Sequence, residues 1–217
     1  MRQVIEPSPV TSPLPQLAES DSFTIDTLAS LIGDKSLLKW FHPERIINNI
    51  VATIDNLPRN KAPMRVMPIE QAAGKFLTNG GPNEISISPK NAERYAPYIK
   101  IAEAIDARKA VELYVRLYPL FQKAYQEIGY PKGYFNDRLI IVLDDLLAAP
   151  QPKEPIKLVQ HSVSYQFADP DLESLSIGKR ILMRIGSENE ATLKAKLREI
   201  KQQLLLHMHE KTVDNKM

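Results

Sequence analysis

The segment that most constrains the fold covers residues 106–128, where apolar residues occupy most positions around a predicted helix. Successive helical residues turn by about 100°, so residues three and four apart share a face. One narrow stripe is polar and contains Lys109, Glu112, Arg116, Lys123 and Glu127. Pro119 lies within that stripe, where water can reach the carbonyl group that proline leaves unpaired. We therefore predict a long central helix, buried on most of its circumference.

Composition limits the class of protein. The chain has 217 residues, enough for one substantial hydrophobic core but hardly for two full domains. Its formal net charge of +2 is too small to indicate nucleic acid or an anionic membrane as a partner. The absence of cysteine excludes disulfides, thiolate metal ligands and thiol nucleophiles. No apolar run approaches the roughly 18 residues that a membrane-spanning helix needs, so we expect a soluble chain.

The two ends of the chain differ from its middle. Residues 1–17 combine prolines with serine, threonine and glutamine, a composition that favours extended polyproline segments. We predict a disordered arm or tether at residues 1–17, a single mainly helical domain at residues 18–209, and a flexible tail at residues 210–217.

Capping residues predict the first two helices. Ser20 or Asp21 is suited to begin a first helix, which Gly33 ends. Pro43 occupies the first position of a second helix, which Pro58 ends. Both segments carry apolar residues at helical spacing, which supports the assignment.

The segment between residues 59 and 89 predicts a small β flap. It contains prolines, glycines and short alternating apolar runs around residues 79–81, Asn-Gly-Gly. Residues 156–167 are rich in β-branched and aromatic residues, so we predict one strand that pairs with the flap. The predicted fold class is mainly α (α+β): a single domain of helical hairpins around one long helix, with a small antiparallel β flap.

Further signals predict the remaining helices. Helix resumes after the flap and is interrupted near Pro97, and Asp106 caps the central helix. A helix over residues 134–149 is expected to pack against the central one as an antiparallel neighbour. Ser187 and Glu190 form a capping box for the last helix.

Catalytic and metal-binding motifs are weak in this sequence. Asp144 and Asp145 are adjacent carboxylates, but adjacent helical residues diverge by about 100° and both fall on the predicted solvent-facing arc. His207 and His209 diverge by about 200° on a helix and cannot share a metal ion. The sequence has neither a phosphate-binding glycine loop nor a Gly-x-Ser-x-Gly elbow. We therefore predict no metal and no cofactor, identify no catalytic residue, and favour a non-enzymatic protein.

A basic cluster near the C-terminus raises the question of nucleic-acid binding. It comprises Lys179, Arg180, Arg184, Lys194, Lys196, Arg198 and Lys201. Glu188, Glu190 and Glu199 interrupt the cluster, and no aromatic residue interleaves it, so a solvated helix face is the better interpretation. Nucleic acid is therefore not an expected partner.

Asp55 breaks a local rule, because a carboxylate is disfavoured at the C-terminal end of a helix. We therefore predict a cationic or hydrogen-bond-donating partner, for which Arg94 is the candidate. Two interpretations remain open: a buried structural ion pair, or a polar pocket for a small molecule. The pocket would use Asp55, Asn56, Arg94, Tyr118 and Tyr130.

Several segments, taken in order, resemble one family of unknown function. They are residues 51–58 (VATIDNLP), 91–95 (NAERY), 117–120 (LYPL), 124–125 (AY), 129–131 (GYP), 167–170 (FADP), 172–173 (LE) and 179–186 (KRILMRIG). As an ordered set, over roughly residues 14–204, they resemble the bacterial family DUF3014.

The resemblance implies little chemistry, because no activity, cofactor or catalytic residue is established for that family. It does imply a location, since members resemble envelope proteins with one N-terminal membrane helix followed by a proline-rich spacer. This chain has the spacer, so we expect any membrane attachment to come from an anchor upstream of Met1. The expected location is the periplasm or cell envelope if that anchor exists, and the cytoplasm otherwise.

The sequence favours a non-enzymatic protein-interaction or scaffolding domain with an unidentified protein partner. Two apolar features lie off the predicted core stripes: Ile141 on a solvent-facing arc, and Leu205 with Leu206 beside the seam of the last helix. Either predicts a contact with a partner or self-association, so the monomer and the homodimer both stay open. The alternative function is a small-molecule binder or enzyme with a polar cleft around Asp55 and Arg94.

Overall fold

The computed structural model describes residues 13–61, 66–81, 84–162 and 164–214, with side chains described as far as residue 207. The α-helices in these ranges are α1 (Asp21–Ile32), α2 (Ile46–Asn56), α3 (Asn91–Ala104), α4 (Ala107–Glu127), α5 (Phe135–Leu147), α6 (Pro170–Glu173), α7 (Ile177–Arg184) and α8 (Ser187–Asp214). Short 3-10 helices span Leu17–Glu19 and Lys35–Trp40, and the strands are β1 (Thr78–Asn79), β2 (Ile85–Ile87), β3 (Lys157–His161) and β4 (Ser164–Phe167). The fold is mainly α with a small antiparallel sheet, as the sequence predicts.

Helix α4 is the centre of the fold, and its exposure follows the predicted pattern. The exposed residues include Lys109, Glu112, Arg116, Pro119, Lys123 and Glu127. The buried residues are Val111, Val115, Leu117, Tyr118, Leu120, Phe121, Ala124 and Tyr125. The Asp106 carboxylate caps the helix as predicted, accepting a hydrogen bond from the Lys109 backbone N–H at 2.8 Å. The prediction of a central helix buried on most of its circumference is confirmed.

Helices α2, α5 and α8 pack around α4 to form the main hydrophobic core. Ile46 and Val51 of α2 are fully buried, and so is Phe135 of α5. The Phe135 ring stacks on that of Phe121, with ring centroids 5.7 Å apart. Leu204 adds a buried side chain from α8. Burying each such side chain stabilises the fold by about 1.5–3 kcal/mol, so apolar area decides which faces meet.

The sheet has the strand order β1-β2-β3-β4, and every neighbouring pair is antiparallel. Leu158 of β3 is paired in register with Ile85 of β2 on one side and with Phe167 of β4 on the other. Paired residues share a face of the sheet, and this face packs against Met183 of α7. The sheet is thereby attached to the helices through a second, smaller core.

The free edge of β4 is closed by side chains from α6 and α7. The Phe167 N–H donates to the Glu173 carboxylate at 2.9 Å, and the Tyr165 carbonyl group accepts from Arg184 Nη2 at 3.0 Å. Unpaired groups on a sheet edge recruit further strands, so these bonds protect the edge against added strands.

Two predicted elements differ from the structure. Residues 156–167 form a hairpin of β3 and β4 instead of one strand, because Ser162 takes a left-handed φ of 57° and turns the chain back. Helix α3 continues through Pro97 instead of being interrupted there. The carbonyl group that Pro97 leaves unpaired belongs to the exposed residue Glu93, where water can satisfy it.

The described structure differs from both predicted boundaries, through core contacts at the N-terminal end and through helix length at the C-terminal end. Leu14 and Leu17, placed in the arm by the sequence, pack against the main core. Helix α8 runs to Asp214, past the predicted boundary at residue 209. The predicted arm over residues 1–12 and the end of the predicted tail at residues 215–217 lie outside the described residues.

Candidate functional site

Asp55 lies in the last turn of α2, at the centre of a buried polar cluster. Its Oδ2 accepts a hydrogen bond from Arg59 Nη2 at 2.5 Å. From α5, Arg138 places its Nε 2.9 Å from Oδ1 and donates from Nη2 to the Asp55 backbone carbonyl group. The Nε contact lacks hydrogen-bond alignment, so it stabilises the cluster as an ion pair. Tyr130 donates its hydroxyl group to Oδ2 at 3.3 Å.

This Asp55 cluster is a joint between three parts of the chain: α2, α5 and the turn that follows α4. Tyr130 belongs to that turn, and its ring stacks on Tyr125 of α4 with centroids 4.5 Å apart. Burial raises the pKa of Tyr125, and the Asp55 charge raises it further. The arrangement favours the structural interpretation, in which two cations compensate one buried carboxylate.

The prediction that Asp55 has a cationic partner is confirmed, but the choice of Arg94 is wrong. Arg94 Nη1 donates to Asn91 Oδ1 at 3.2 Å, and its other nitrogens donate to the backbone carbonyl groups of residues 72–74. Arg94 therefore holds the flap against α3. Spacing along the sequence could not identify its partner, because that partner is an irregular loop.

Tyr118 and Asn56 also lie apart from a common site. The Tyr118 hydroxyl group donates to Gln122 Oε1 at 2.9 Å, and that oxygen also accepts the Phe135 N–H at 2.9 Å. Burial, then the Asp137 charge, raises the pKa of Tyr118 to about 12. Asn56 donates back to the Ala52 carbonyl group of its own helix. Of the five predicted pocket residues, the structure brings only Asp55 and Tyr130 into contact, so a polar cleft joining Asp55 to Arg94 is not formed.

Sequence reasoning missed Arg59 and Arg138. Arg59 follows Asp55 by four residues, a spacing typical of helical ion pairs, but Pro58 between them indicated the end of the helix. Helix α2 does end at Asn56, and a turn in which the Arg59 N–H donates to the Asn56 carbonyl group keeps the two side chains together. Nothing local in the sequence marks Arg138 as the second partner.

The adjacent carboxylates of α5 do not share a solvated face as predicted. Asp144 is exposed and pairs with Lys201 of α8. Asp145 is half-buried, accepting a hydrogen bond from Ser176 Oγ at 2.6 Å and lying 2.8 Å from Lys179 Nζ. Asp145 therefore ties α5 to the start of α7.

The predicted capping box at the start of α8 also differs from the structure, because Glu190 faces the interior. Its carboxylate lies 2.7 Å from Lys194 Nζ, and both side chains are buried. Lys194 also donates to the Ala149 carbonyl group at the end of α5. An inward ion pair thus takes the place of the predicted cap.

Most of the predicted basic cluster is used within the fold. The ion pairs are Lys179–Asp145, Arg180–Glu173, Arg184–Glu173, Lys194–Glu190, Lys196–Glu199 and Lys201–Asp144. Cations that are already neutralised by nearby carboxylates attract phosphate weakly. This pairing favours a structural role for the cluster.

Ile141 and Leu206 are among the most exposed large apolar side chains that the structure describes, at 55% and 48%. Helices α5 and α8 are joined by the Asp144–Lys201 pair and by the bond from Lys194 to Ala149, which makes them antiparallel. Ile141 precedes Asp144 by one turn, and Leu205 follows Lys201 by one turn. Ile141 and Leu205 therefore lie at the same height along the two helix axes. We call Ile141, Leu205 and Leu206 the α5/α8 apolar surface.

Two other kinds of site have no counterpart in the part of the chain that the structure describes. Within that part of the chain, no group of three or more histidine and acidic side chains could hold a metal ion. Over the same residues, no helix is both long enough and apolar enough to cross a membrane.

Comparison with known proteins identifies the family of this chain but indicates no activity. No curated protein and no solved structure matches this chain. The model of the family described as "Protein of unknown function (DUF3014)" matches residues 46–201, a range that includes the Asp55 cluster, the sheet and the first half of α8. Since that match covers well over half of the sequence, the chain belongs to the DUF3014 family, as the ordered segments predict.

Proposed function

We propose that this protein is a non-enzymatic interaction domain whose α5/α8 apolar surface binds a protein partner. The observation that supports this most is the exposure of Ile141 and Leu206, two large aliphatic side chains on neighbouring antiparallel helices. A single exposed apolar residue is ordinary, whereas several at one level of two neighbouring helices are typical of protein contact sites.

The polar clusters support binding over catalysis. Asp55, Asp145 and Glu173 are each paired with at least one cation. Carboxylates that are already held by ion pairs within the fold are typical of structural contacts. Their arrangement is that of joints between helices.

The size of the surface favours a transient partner over a stable homodimer. Three aliphatic side chains, two of them about half exposed, provide far less than the roughly 800 Å² per partner that a stable interface buries. The Asp144–Lys201 pair lies one turn away and offers both charges at the rim. The partner we propose is an amphipathic helix that places one or two aliphatic residues against α5 and α8.

An envelope location is part of the same proposal. Its support is the proline-rich composition of residues 1–13, which suits a semi-rigid spacer between a membrane anchor and a folded domain. Such a spacer would hold the α5/α8 apolar surface away from the membrane, within reach of a partner.

Capture and titration test this proposal together. Wild-type protein, Ile141→Glu and Leu206→Glu are used to capture partners from envelope extracts, and each recovered protein is then purified and titrated. We expect a partner whose Kd rises at least about tenfold with either substitution, because each places a charge in an apolar contact. Val159→Glu is the control, since Val159 is 47% exposed on the distant sheet.

Two outcomes count against the proposal. A partner that binds all four proteins equally would show that the α5/α8 apolar surface is not its binding site. If sedimentation shows a wild-type dimer that Leu206→Glu converts to a monomer, the occupant is a second copy and not a helix from another protein.

A further inference from the structure

A cleft of about 310 Å³ lies between β2, the first turn of α3, the end of α7 and the loop that precedes β3. Small-molecule sites begin at roughly this volume. The apolar part of the lining includes Ile87, Ile156 and Met183, which continue the small core under the sheet. The cleft therefore offers apolar contact next to solvent, away from both the Asp55 cluster and the α5/α8 apolar surface.

Gly186 leaves one wall of the cleft without a side chain. Its φ of 96° favours glycine, and a Cβ atom there would lie 3.1 Å from the Cβ of Ala92. Asn189 donates to the Ala92 carbonyl group at 3.0 Å, which holds the start of α8 against α3. Two helices thus frame the opening, and no side chain from Gly186 occupies it.

The two charged residues of the lining differ in how many partners they have within the fold. Of the lining residues, Arg184 and Glu154 are charged. The Arg184 guanidinium group donates to the Tyr165 carbonyl group, lies 3.9 Å from the Glu173 carboxylate and stacks over Phe167. Glu154 is exposed and has neither an ion pair nor a hydrogen bond within the described ranges. Arg184 is thus held by other groups of the fold, whereas the Glu154 carboxylate, beside the apolar lining, is open to a ligand.

We propose that this cleft binds an alkylammonium group, with the alkyl chain against the apolar lining and the ammonium group at Glu154. An ammonium group gains a charge-assisted hydrogen bond with a carboxylate, and the alkyl chain gains burial. A free amine and a peptide lysine side chain share this chemistry. The site is independent of the proposed function, because it uses a different surface.

NMR titration of the uniformly 15N-labelled protein with hexylammonium chloride tests the proposal. We expect saturable shifts of the Ile87, Ala92 and Gly186 amides, with a Kd on the order of 1 mM for so small a ligand. Hexanol keeps the alkyl chain without the charge, so we expect it to bind about three- to tenfold more weakly. Blocked lysine (Nα-acetyl-lysine methylamide) distinguishes the two sources: tighter binding than hexylammonium indicates a peptide, and weaker binding a free amine.

Substitutions complete the test. Glu154→Gln is expected to reduce hexylammonium affinity to that of hexanol, without loss of folding, since the residue is exposed. Glu93→Gln is the matched control, because Glu93 is also exposed and lies in the first turn of α3 but outside the lining. Equal binding of hexanol and hexylammonium, equal losses in the two variants, or no saturable shift at the cleft amides would each overturn the proposal.

Discussion

Asp55 and Glu173 are two carboxylates that are each shared by two arginines, but they lie at different depths. The Asp55 side chain is 4% exposed and joins α2 to α5. The Glu173 side chain is 22% exposed and joins α6 to α7 and to the edge of β4. Because desolvation depends on burial, the same pairing chemistry should contribute differently to stability in the two places.

The two clusters also differ in which elements supply the groups around the carboxylate. Around Asp55, the compensating groups include the hydroxyl group of Tyr130 and two guanidinium groups that come from separate elements. Around Glu173, both arginines come from α7, and burial lowers the pKa of Arg184 while the Glu173 charge opposes that shift. The inner cluster therefore organises the helical bundle, whereas the outer one closes a sheet edge.

The largest effect is expected for Asp55→Ala. Removing this carboxylate leaves Arg138 and Arg59 without their counter-charge, which should lower the free energy of unfolding by about 3–5 kcal/mol. Urea denaturation followed by circular dichroism measures the change. Asp144→Ala is the control, since the Asp144 side chain is 56% exposed and its loss should change stability by less than about 1 kcal/mol. Equal losses in the two variants would mean that depth does not decide the contribution.

Tyr118 tests how burial affects stability at a side chain that, unlike a carboxylate, is neutral when protonated. Its folded-state pKa of about 12 lies above the unfolded value of about 10. The stability this provides is complete below pH 10 and is lost as pH rises toward 12, by about 1.4 kcal/mol per pH unit. Urea denaturation between pH 9 and 11 measures that slope, which should be smaller in Tyr118→Phe. An unchanged slope in the variant would contradict the assignment.

A smaller effect is expected for Glu173→Gln. The neutral amide loses the attraction of Arg180 and Arg184 but retains an oxygen that can accept from Phe167, so we expect a loss of about 1–2 kcal/mol. Hydrogen exchange at the Phe167 amide should accelerate, because a neutral amide oxygen accepts its hydrogen bond more weakly than a carboxylate does. Glu199→Gln, at an exposed carboxylate that pairs with Lys196, should change neither quantity. Slow exchange at Phe167 in the variant would argue against a role for Glu173 in closing the edge.

The smallest effect concerns the α5/α8 apolar surface. Ile141→Glu and Leu206→Glu should each change the free energy of unfolding by less than about 0.5 kcal/mol, because both side chains are already about half exposed. Thermal denaturation measures this. A loss above about 2 kcal/mol would place these residues in the core and would remove the basis for a free binding surface.

Prediction from the sequence succeeded where the signal is local. The polar stripe of residues 106–128 and the cap at Asp106 are properties of neighbouring residues, and both occur in α4. It failed where a long-range contact decides: Arg94 binds a loop, and Arg138 reaches Asp55 across 83 residues of sequence. Ser162 shows an intermediate case, because its left-handed turn carries none of the glycine or asparagine that usually marks one.

The sequence by itself determined the helical character of the chain, the burial of one long helix and the presence of a small antiparallel sheet. These follow from hydrophobic periodicity and from turn and capping residues, which act over a few positions. Only the tertiary structure decided which cations neutralise Asp55, which charges close the β4 edge, and that Glu154 lines an apolar cleft. Such pairings depend on distances between elements far apart in the chain, and these are set by how buried surfaces pack together.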